Sequence, residues 1–256
     1  MRELTTSDIA EQEIIVQQLT REKLGGFCAY FNRAIDLLIR LYYRIPRIED
    51  VNTLNGNYLS HVSYSFYMSI FTFRACFVLL ERGYYLEANI LCRNLIEVFV
   101  KMRYFEKHKE KLETFEQPHI GKGPSVTFKT MFDEVLPGYY DIEYRWMLSH
   151  MAHGGVGARI FKIDFKSATD RYADTGVFYK ERWASLVMNN LTNYIFGYIR
   201  FYKHIYPQVI RSSDEVTLHE LKEIEDISKT SFEQHIALKG EENTWHKVSK
   251  LIWDFN

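Results

Sequence analysis

The chain has 256 residues and a formal net charge of −1, with 46% hydrophobic and 25% charged residues. That balance is globular, and it excludes a disordered tail, a strongly basic nucleic-acid coat and a polybasic membrane-surface protein. Any polyanion must be met by a local patch.

Five prolines and 13 glycines leave room for long elements with few loops, and 18 tyrosines offer bulky packing with a polar tip for helix seams and subunit interfaces. The three cysteines, Cys28, Cys76 and Cys92, form no CxxC pair. Neither a disulfide framework nor a zinc site is indicated, and each is expected as a buried, inert thiol. The start, MRELTTSDIAEQE, lacks the apolar core of a secretory signal. The most membrane-like stretch, residues 58–80, carries His61 and Arg74. It reads as a buried helix rather than a span, and the chain is expected to be cytoplasmic and not bound to membrane.

Apolar spacing is helical nearly throughout. Phe27, Tyr30, Phe31, Ala34, Leu37, Leu38 and Leu41 step by three and four, predicting a helix that Pro46 ends. Gly25-Gly26 is expected to divide it from a more polar first helix, capped by Thr6 or Ser7 before Asp8. Leu59, Val62, Phe66, Ile70, Phe73, Phe77 and Leu80 define one stripe of a long helix. A second stripe (Tyr64, Tyr67, Met68, Phe71, Ala75, Val78) makes it apolar on most sides, which predicts a central position, with one stripe available to a dimer seam. Beyond Gly83 a third helix carries Ala88, Leu91, Leu95, Val98, Met102 and Phe105, and the short connection predicts an antiparallel hairpin.

QPHIGKGPS, around residues 117–125, reads as a loop. Short helices are expected over 125–135 and 139–153, then a glycine-rich break at Gly154, Gly155 and Gly157, and a strand or extended arm in ARIFKIDF. Val187, Leu191, Tyr194, Tyr198, Phe201 and Ile205 predict another long helix ending at Pro207. Ser212 and Glu215 read as a capping box opening a charged helix through Ile227, and Trp245, Val248, Leu251 and Ile252 as a final amphipathic turn. The fold expected is an all-α, up-and-down helical bundle over residues 1–210, with its core at about 58–205 and a C-terminal helical extension over 211–256.

No phosphate loop, HExxH, nucleophile elbow, EF-hand or Glu-x-x-His occurs. Chemistry concentrates instead in YYDIEYRWMLSHMAHGGVG, which gathers Asp141, Glu143, Arg145, Ser149, His150 and His153 before the glycine break. Ser149 and His153, and His150 and His153, share helix faces. Arg145 and His150 are five residues apart, about 140° on a regular helix, so their convergence requires a bend, unwinding or a second subunit. An imidazole can move a proton and a guanidinium can hold a phosphate, which together suffice for metal-independent RNA cleavage by the 2′-hydroxyl. A helix-capping cluster without catalysis is the other reading of these residues, and a metal held by His150 and His153 with Asp141 or Glu143 is a third.

Residues 73–105 (FRACFVLLERGYYLEANILCRNLIEVFVKMRYF) followed by 144–154 (YRWMLSHMAHG) resemble the HEPN superfamily of helical nucleotide-binding and ribonuclease domains, and within it a bacterial uncharacterised branch. The superfamily signature, an Arg, four to six residues and a His, maps onto Arg145 and His150, and the narrower Ser-x-x-x-His ending maps onto Ser149 and His153. The resemblance implies a helical bundle that pairs as a homodimer, both motifs facing one cleft. It also implies a metal-independent ribonuclease in a toxin–antitoxin or antiphage setting, with RNA as substrate, an antitoxin or defence-system partner and no cofactor. Arg145 would clamp phosphate while His150 or His153 moves the proton. Trp146, where the superfamily has a polar residue, favours instead a silent nucleotide- or partner-binding module. Arg93 and Glu97, within the resemblance, read either as an exposed i,i+4 pair or as a partly buried brace for the histidine-bearing helix. The basic run Arg103, Lys107, His108, Lys109, Lys111 reads as a solvated face or as a phosphate-contacting patch, with Arg103, Lys107 and Lys109 the candidate RNA contacts. Arg103 and His108 repeat the Arg–His spacing but lack its position after the hairpin.

Overall fold

The computed structural model describes residues 5–116, 126–138, 140, 144, 177 and 179–239, without the side chains of 182 and 231–239. Among the described residues every regular element is helical, as expected of an all-α bundle. The expected arm at ARIFKIDF and the terminal amphipathic turn lie outside the described residues.

Helix α1 (Thr6–Tyr43) opens on a capping box. The Asp8 amide donates to Thr5 Oγ1 at 3.2 Å, and the Thr5 amide donates back to the Asp8 carboxylate at 2.8 Å. Thr5 is therefore the cap, ahead of the expected Thr6 or Ser7. Nor does Gly25-Gly26 divide the helix. A single residue, Leu24 (φ −120°, ψ 25°), kinks it, and the chain continues. Val16 and Thr20 before the kink and Cys28 and Phe31 after it are all buried. Burial on both sides outweighs the ~1 kcal/mol that each glycine costs a helix.

Helix α2 (Leu54–Glu81) is capped by Thr53, which accepts from the Gly56 amide at 3.0 Å. Gly83, at φ 85°, reverses the chain into α3 (Tyr85–Lys107), with the Tyr84 amide donating to the Leu79 carbonyl at 2.9 Å. Only glycine takes that backbone angle without strain. Tyr58 of α2 donates to the Met102 carbonyl near the far end of α3, while Cys76 lies against Cys92 nearer the turn. The two helices form the expected antiparallel hairpin. A 3₁₀ turn (Lys109–Lys111), α4 (Leu112–Glu116) and α5 (Phe128–Val135) follow, the last capped by Thr127.

Helix α6 (Glu181–Ile205) runs parallel to α3 through a buried pair, Asn190 donating to Asn89 at 3.1 Å. Tyr198 of α6 sits at the centre of the fold, fully buried, with its hydroxyl donating to the Leu95 carbonyl at 2.9 Å and its ring against Phe66, Phe73 and Phe99. Tyr202 reaches the Leu41 carbonyl of α1 at 2.6 Å. Buried tyrosines thus join α1, α2, α3 and α6, spending each polar tip on a neighbouring helix's carbonyl.

Pro207 does not merely end α6. It starts α7 (Pro207–Arg211), where its missing amide costs nothing. The following helix, α8 (Glu215–Lys239), is capped by Asp214, which accepts from the Thr217 amide at 2.8 Å, rather than by Ser212 with Glu215. It also runs well past the expected end at Ile227. This helix docks on the chain's own bundle. Arg33 pairs in two-pronged fashion with Glu223 at 3.0 and 2.6 Å, Arg40 pairs with Glu220, and Arg44 with Asp214 at 2.7 Å. Tyr30 and Ser228 close the same seam with a buried hydrogen bond of 2.5 Å.

The outer stripe of α2 qualifies the expected central position. Its inner stripe is buried, but Tyr64, Tyr67, Met68 and Phe71 are exposed, so α2 is central on one side only. It is the described helix long and apolar enough to cross a membrane by length and composition, yet 44% of that window is buried within the bundle.

All three cysteines are buried, Cys76 and Cys92 completely. Burial, with Glu81 nearby, raises the Cys28 thiol to about 11, and burial together with Cys76 raises the Cys92 thiol well above its ordinary value. In the native protein we expect thiol reagents to label none of the three, with stoichiometric labelling only in denaturant; rapid native labelling would contradict this packing.

A second expectation concerns acid. Backbone and Arg44 hydrogen bonds hold Asp214 well below the usual carboxylate range, and the Arg33 hydrogen bonds lower Glu223. Both carboxyls bind protons more weakly folded than unfolded, so their contribution is complete above the ordinary carboxyl range near pH 4 and is lost as pH falls below it. Hydrogen-exchange protection of α8 should therefore fall below about pH 4 before that of α3. Equal loss in both helices would show that these pairs do not hold α8.

Candidate functional site

Arg93 and Glu97 lie one turn apart on α3. Arg93 Nε donates to Glu97 Oε1 at 2.8 Å, and the two side chains are 22% and 24% exposed. A third group closes the arrangement. The Tyr144 hydroxyl donates to Glu97 Oε1 at 2.5 Å and accepts from Arg93 Nη2 at 2.8 Å, while the guanidinium lies 4.9 Å from the centre of the Tyr144 ring. Burial, reinforced by Glu97, raises the Tyr144 phenol against the opposing charge of Arg93. Burial alone would weaken the Arg93 charge, but the hydrogen bonds and charges of Glu97 and Tyr144 outweigh it and raise its pKa. The three groups therefore keep a cation and a neutral phenol at physiological pH.

An aromatic seat holds Tyr144 in place. Its ring lies 4.8 Å from Phe128, 5.5 Å from Phe132 and 5.2 Å from Tyr140, and only 6% of the residue is exposed. Helix α5 supplies the two phenylalanines and packs against α3, so the brace ties three parts of the chain together. Of the two readings of Arg93 and Glu97, the geometry matches a partly buried pair rather than an exposed one; the histidine-bearing segment it was expected to brace lies outside the described residues.

Tyr144 directly precedes Arg145. Arg145, Ser149, His150 and His153, with Asp141 and Glu143, lie outside the described residues. The structure thus brings together Arg93, Glu97 and the residue at the door of the motif.

The basic run is largely engaged. Arg103 donates to Glu106 at 2.9 Å and covers the Phe201 ring, and burial lowers its pKa. Glu106 also meets His204 at 2.5 Å. Lys109 donates to Asn55 at 2.8 Å and lies over the Tyr58 ring. His108, the partner of Arg103 in the second Arg–His spacing, bonds Glu134 at 2.8 Å instead. Lys107 is exposed and has no partner among the described residues. Among the described residues no group of three or more His, Cys, Asp or Glu could hold a metal.

The motif pattern assigns no role to Tyr144, nor any to Phe128, Phe132 and Tyr140. The four-residue steps Phe128–Phe132 and Tyr140–Tyr144 carried a signal of two aromatic faces, without saying that they meet.

A hydrogen bond to a charged group is worth about 1.5–3 kcal/mol, and more is lost when a buried partner is left unsatisfied. Glu97→Ala is expected to destabilise the protein by at least about 1.5 kcal/mol in urea unfolding, and Tyr144→Phe by about 1–2 kcal/mol. Losses below about 0.5 kcal/mol for both would mark the pair as solvated surface.

Residues 60–123 match a family of unknown function, DUF5677. The matched segment spans most of α2, all of α3 and the turn beyond it, including Arg93 and Glu97, and stops short of residues 144–154. No curated protein and no solved structure matches the chain.

Proposed function

We propose that the chain is a HEPN-like, metal-independent ribonuclease, acting as a homodimer in a bacterial toxin or antiphage setting. The observation that carries this reading is the brace on Tyr144. A guanidinium, a carboxylate and a packed aromatic seat fix the backbone one residue before Arg145. Rigid support of that kind is what a phosphate-gripping arginine needs, because misplacement by 1 Å costs about 10²-fold in rate.

In this mechanism a neutral imidazole of His150 or His153 takes the proton of the RNA 2′-hydroxyl as that oxygen attacks the adjacent phosphorus. Arg145 neutralises the charge gathering on the non-bridging oxygens. The bond to the 5′-oxygen breaks, and the leaving oxygen receives a proton from the second histidine or from the motif of the other subunit. A 2′,3′-cyclic phosphate and a 5′-hydroxyl result, with protons balanced.

The test is cleavage of RNA by the purified protein in chelator. Arg145→Ala, and at least one of His150→Ala and His153→Ala, should lower the rate about 10²–10⁴-fold with unchanged circular dichroism. Cleavage that survives all three substitutions overturns the assignment. Tight nucleotide binding without turnover would transfer the site to the second reading, a silent nucleotide- or partner-binding module, which Trp146 beside the arginine favours.

A further inference from the structure

The outer face of α2 is a continuous apolar stripe. Between Leu54 and Leu80 the only full charge is Arg74. Tyr64, Tyr67, Met68 and Phe71 are 64%, 37%, 44% and 55% exposed, and beside them on α1 stand Ile39 at 37% and Tyr43 at 79%. Between the two helices runs a half-open groove of about 510 Å³. Its walls are pre-formed, for Tyr67 packs at 5.1 Å against Tyr42 and at 4.9 Å against Phe71. Asp36 and Arg74 both line it. Arg74 reaches Asn32 at 3.4 Å, and Asp36 has no ion-pair partner among the described residues.

We propose that this α1–α2 face pairs with the same face of a second copy of the chain across a twofold axis. Area points that way. Scaled by the ~150–250 Å² of a whole aromatic side chain, the six exposed side chains present roughly 700 Å², above the ~300–600 Å² patch of a typical monomer and near the ~800 Å² that each partner gives a stable interface. Spacing agrees: positions 64, 67, 68 and 71 follow the i, i+3, i+4, i+7 pattern by which one helix anchors on another. Charge is the third argument. A twofold face must be self-complementary, and this one carries one acid and one base, so Asp36 of each copy can meet Arg74 of the other.

A lipid bilayer is the rival occupant of an apolar helix face. It is disfavoured because the opposite stripe of α2 is locked in the core, and because Asp36 and Arg74 would enter the membrane uncompensated. The inference holds whether or not the chain cleaves RNA.

The test uses the full-length protein without RNA, in sedimentation velocity across micromolar concentrations. Wild type should dimerise. Phe71→Glu, at an exposed position, should raise the dimer dissociation constant at least about thirtyfold with an unchanged circular dichroism spectrum. Val216→Glu, exposed on α8, should not change it. Asp36→Arg and Arg74→Asp should each weaken self-association, yet a mixture of the two variants should form heterodimers, since each then offers the charge that the other needs. A wild-type monomer, a dimer indifferent to Phe71→Glu, or a mixture that fails to pair would overturn the proposal. Binding of monomeric protein to phosphatidylcholine vesicles, abolished by Phe71→Glu, would assign the face to lipid instead. RNA cleavage is read in a separate assay: a dimer indifferent to Phe71→Glu removes this face and leaves the ribonuclease reading standing, whereas a wild-type monomer removes the homodimer from both.

Discussion

The inner stripe of α2 is the surface on which the other long helices of the bundle converge. Phe73 packs edge-on against Phe31 of α1 and Tyr198 of α6, Phe77 stacks on Phe31 at 4.9 Å, and Phe66 lies against Tyr198 and Tyr202. Cys76 fills the contact with Cys92 of α3. Each fully buried side chain of this kind contributes about 1.5–3 kcal/mol, and truncating one costs about 3–5 kcal/mol because the cavity closes only in part. Because these contacts are made by one rigid helix, they set the positions of α1, α3 and α6 together. The polar tips follow from that placement: Tyr198, Tyr202 and Tyr58 reach carbonyls on neighbouring helices only because the stripe brings those helices within reach.

Helix α3 carries that rigidity outward. One of its faces is committed to α2 and α6, through Leu95, Phe99 and Met102, and the adjoining face presents Arg93 and Glu97 to α5 and Tyr144. The brace is built from charges that water only partly reaches, so its hydrogen bonds are stronger than those of a surface pair and its loss leaves a group unsatisfied. The cations further along α3 are differently placed. Arg103 is taken up by Glu106 and Phe201, and Lys109 by Asn55 and Tyr58. Positive charge along a sequence is therefore a poor guide to free positive charge on the surface, because carboxylates distant in the chain, such as Glu134 against His108, arrive only on folding.

Where reading and structure part, the cause is a long-range contact overriding a local rule. The glycine pair in α1 weakens the helix locally, yet packing on both sides of Leu24 carries it through with a kink. Ser212 and Glu215 have the spacing of a capping box, but Asp214 stands closer to the helix start, and its carboxylate serves both the Thr217 amide and Arg44 of α1. The second apolar stripe of α2 implied a central position with one stripe available to a dimer seam, and the described helices fill only one side of it.

The sequence alone determined the helical class, the α2–α3 hairpin, the buried thiols and the link between Arg93 and Glu97. These depend on periodicities of three and four residues, on one glycine at a turn and on neighbours along a single helix, all of which are local and need no partner. Tertiary structure alone decided that Tyr144 completes the Arg93–Glu97 pair, that α8 returns to α1 through three arginines, and which face of α2 stays open. The first two of those outcomes join residues 47 to 190 positions apart. Local pattern states which faces are sticky, but only the packed helices determine which of those faces meet.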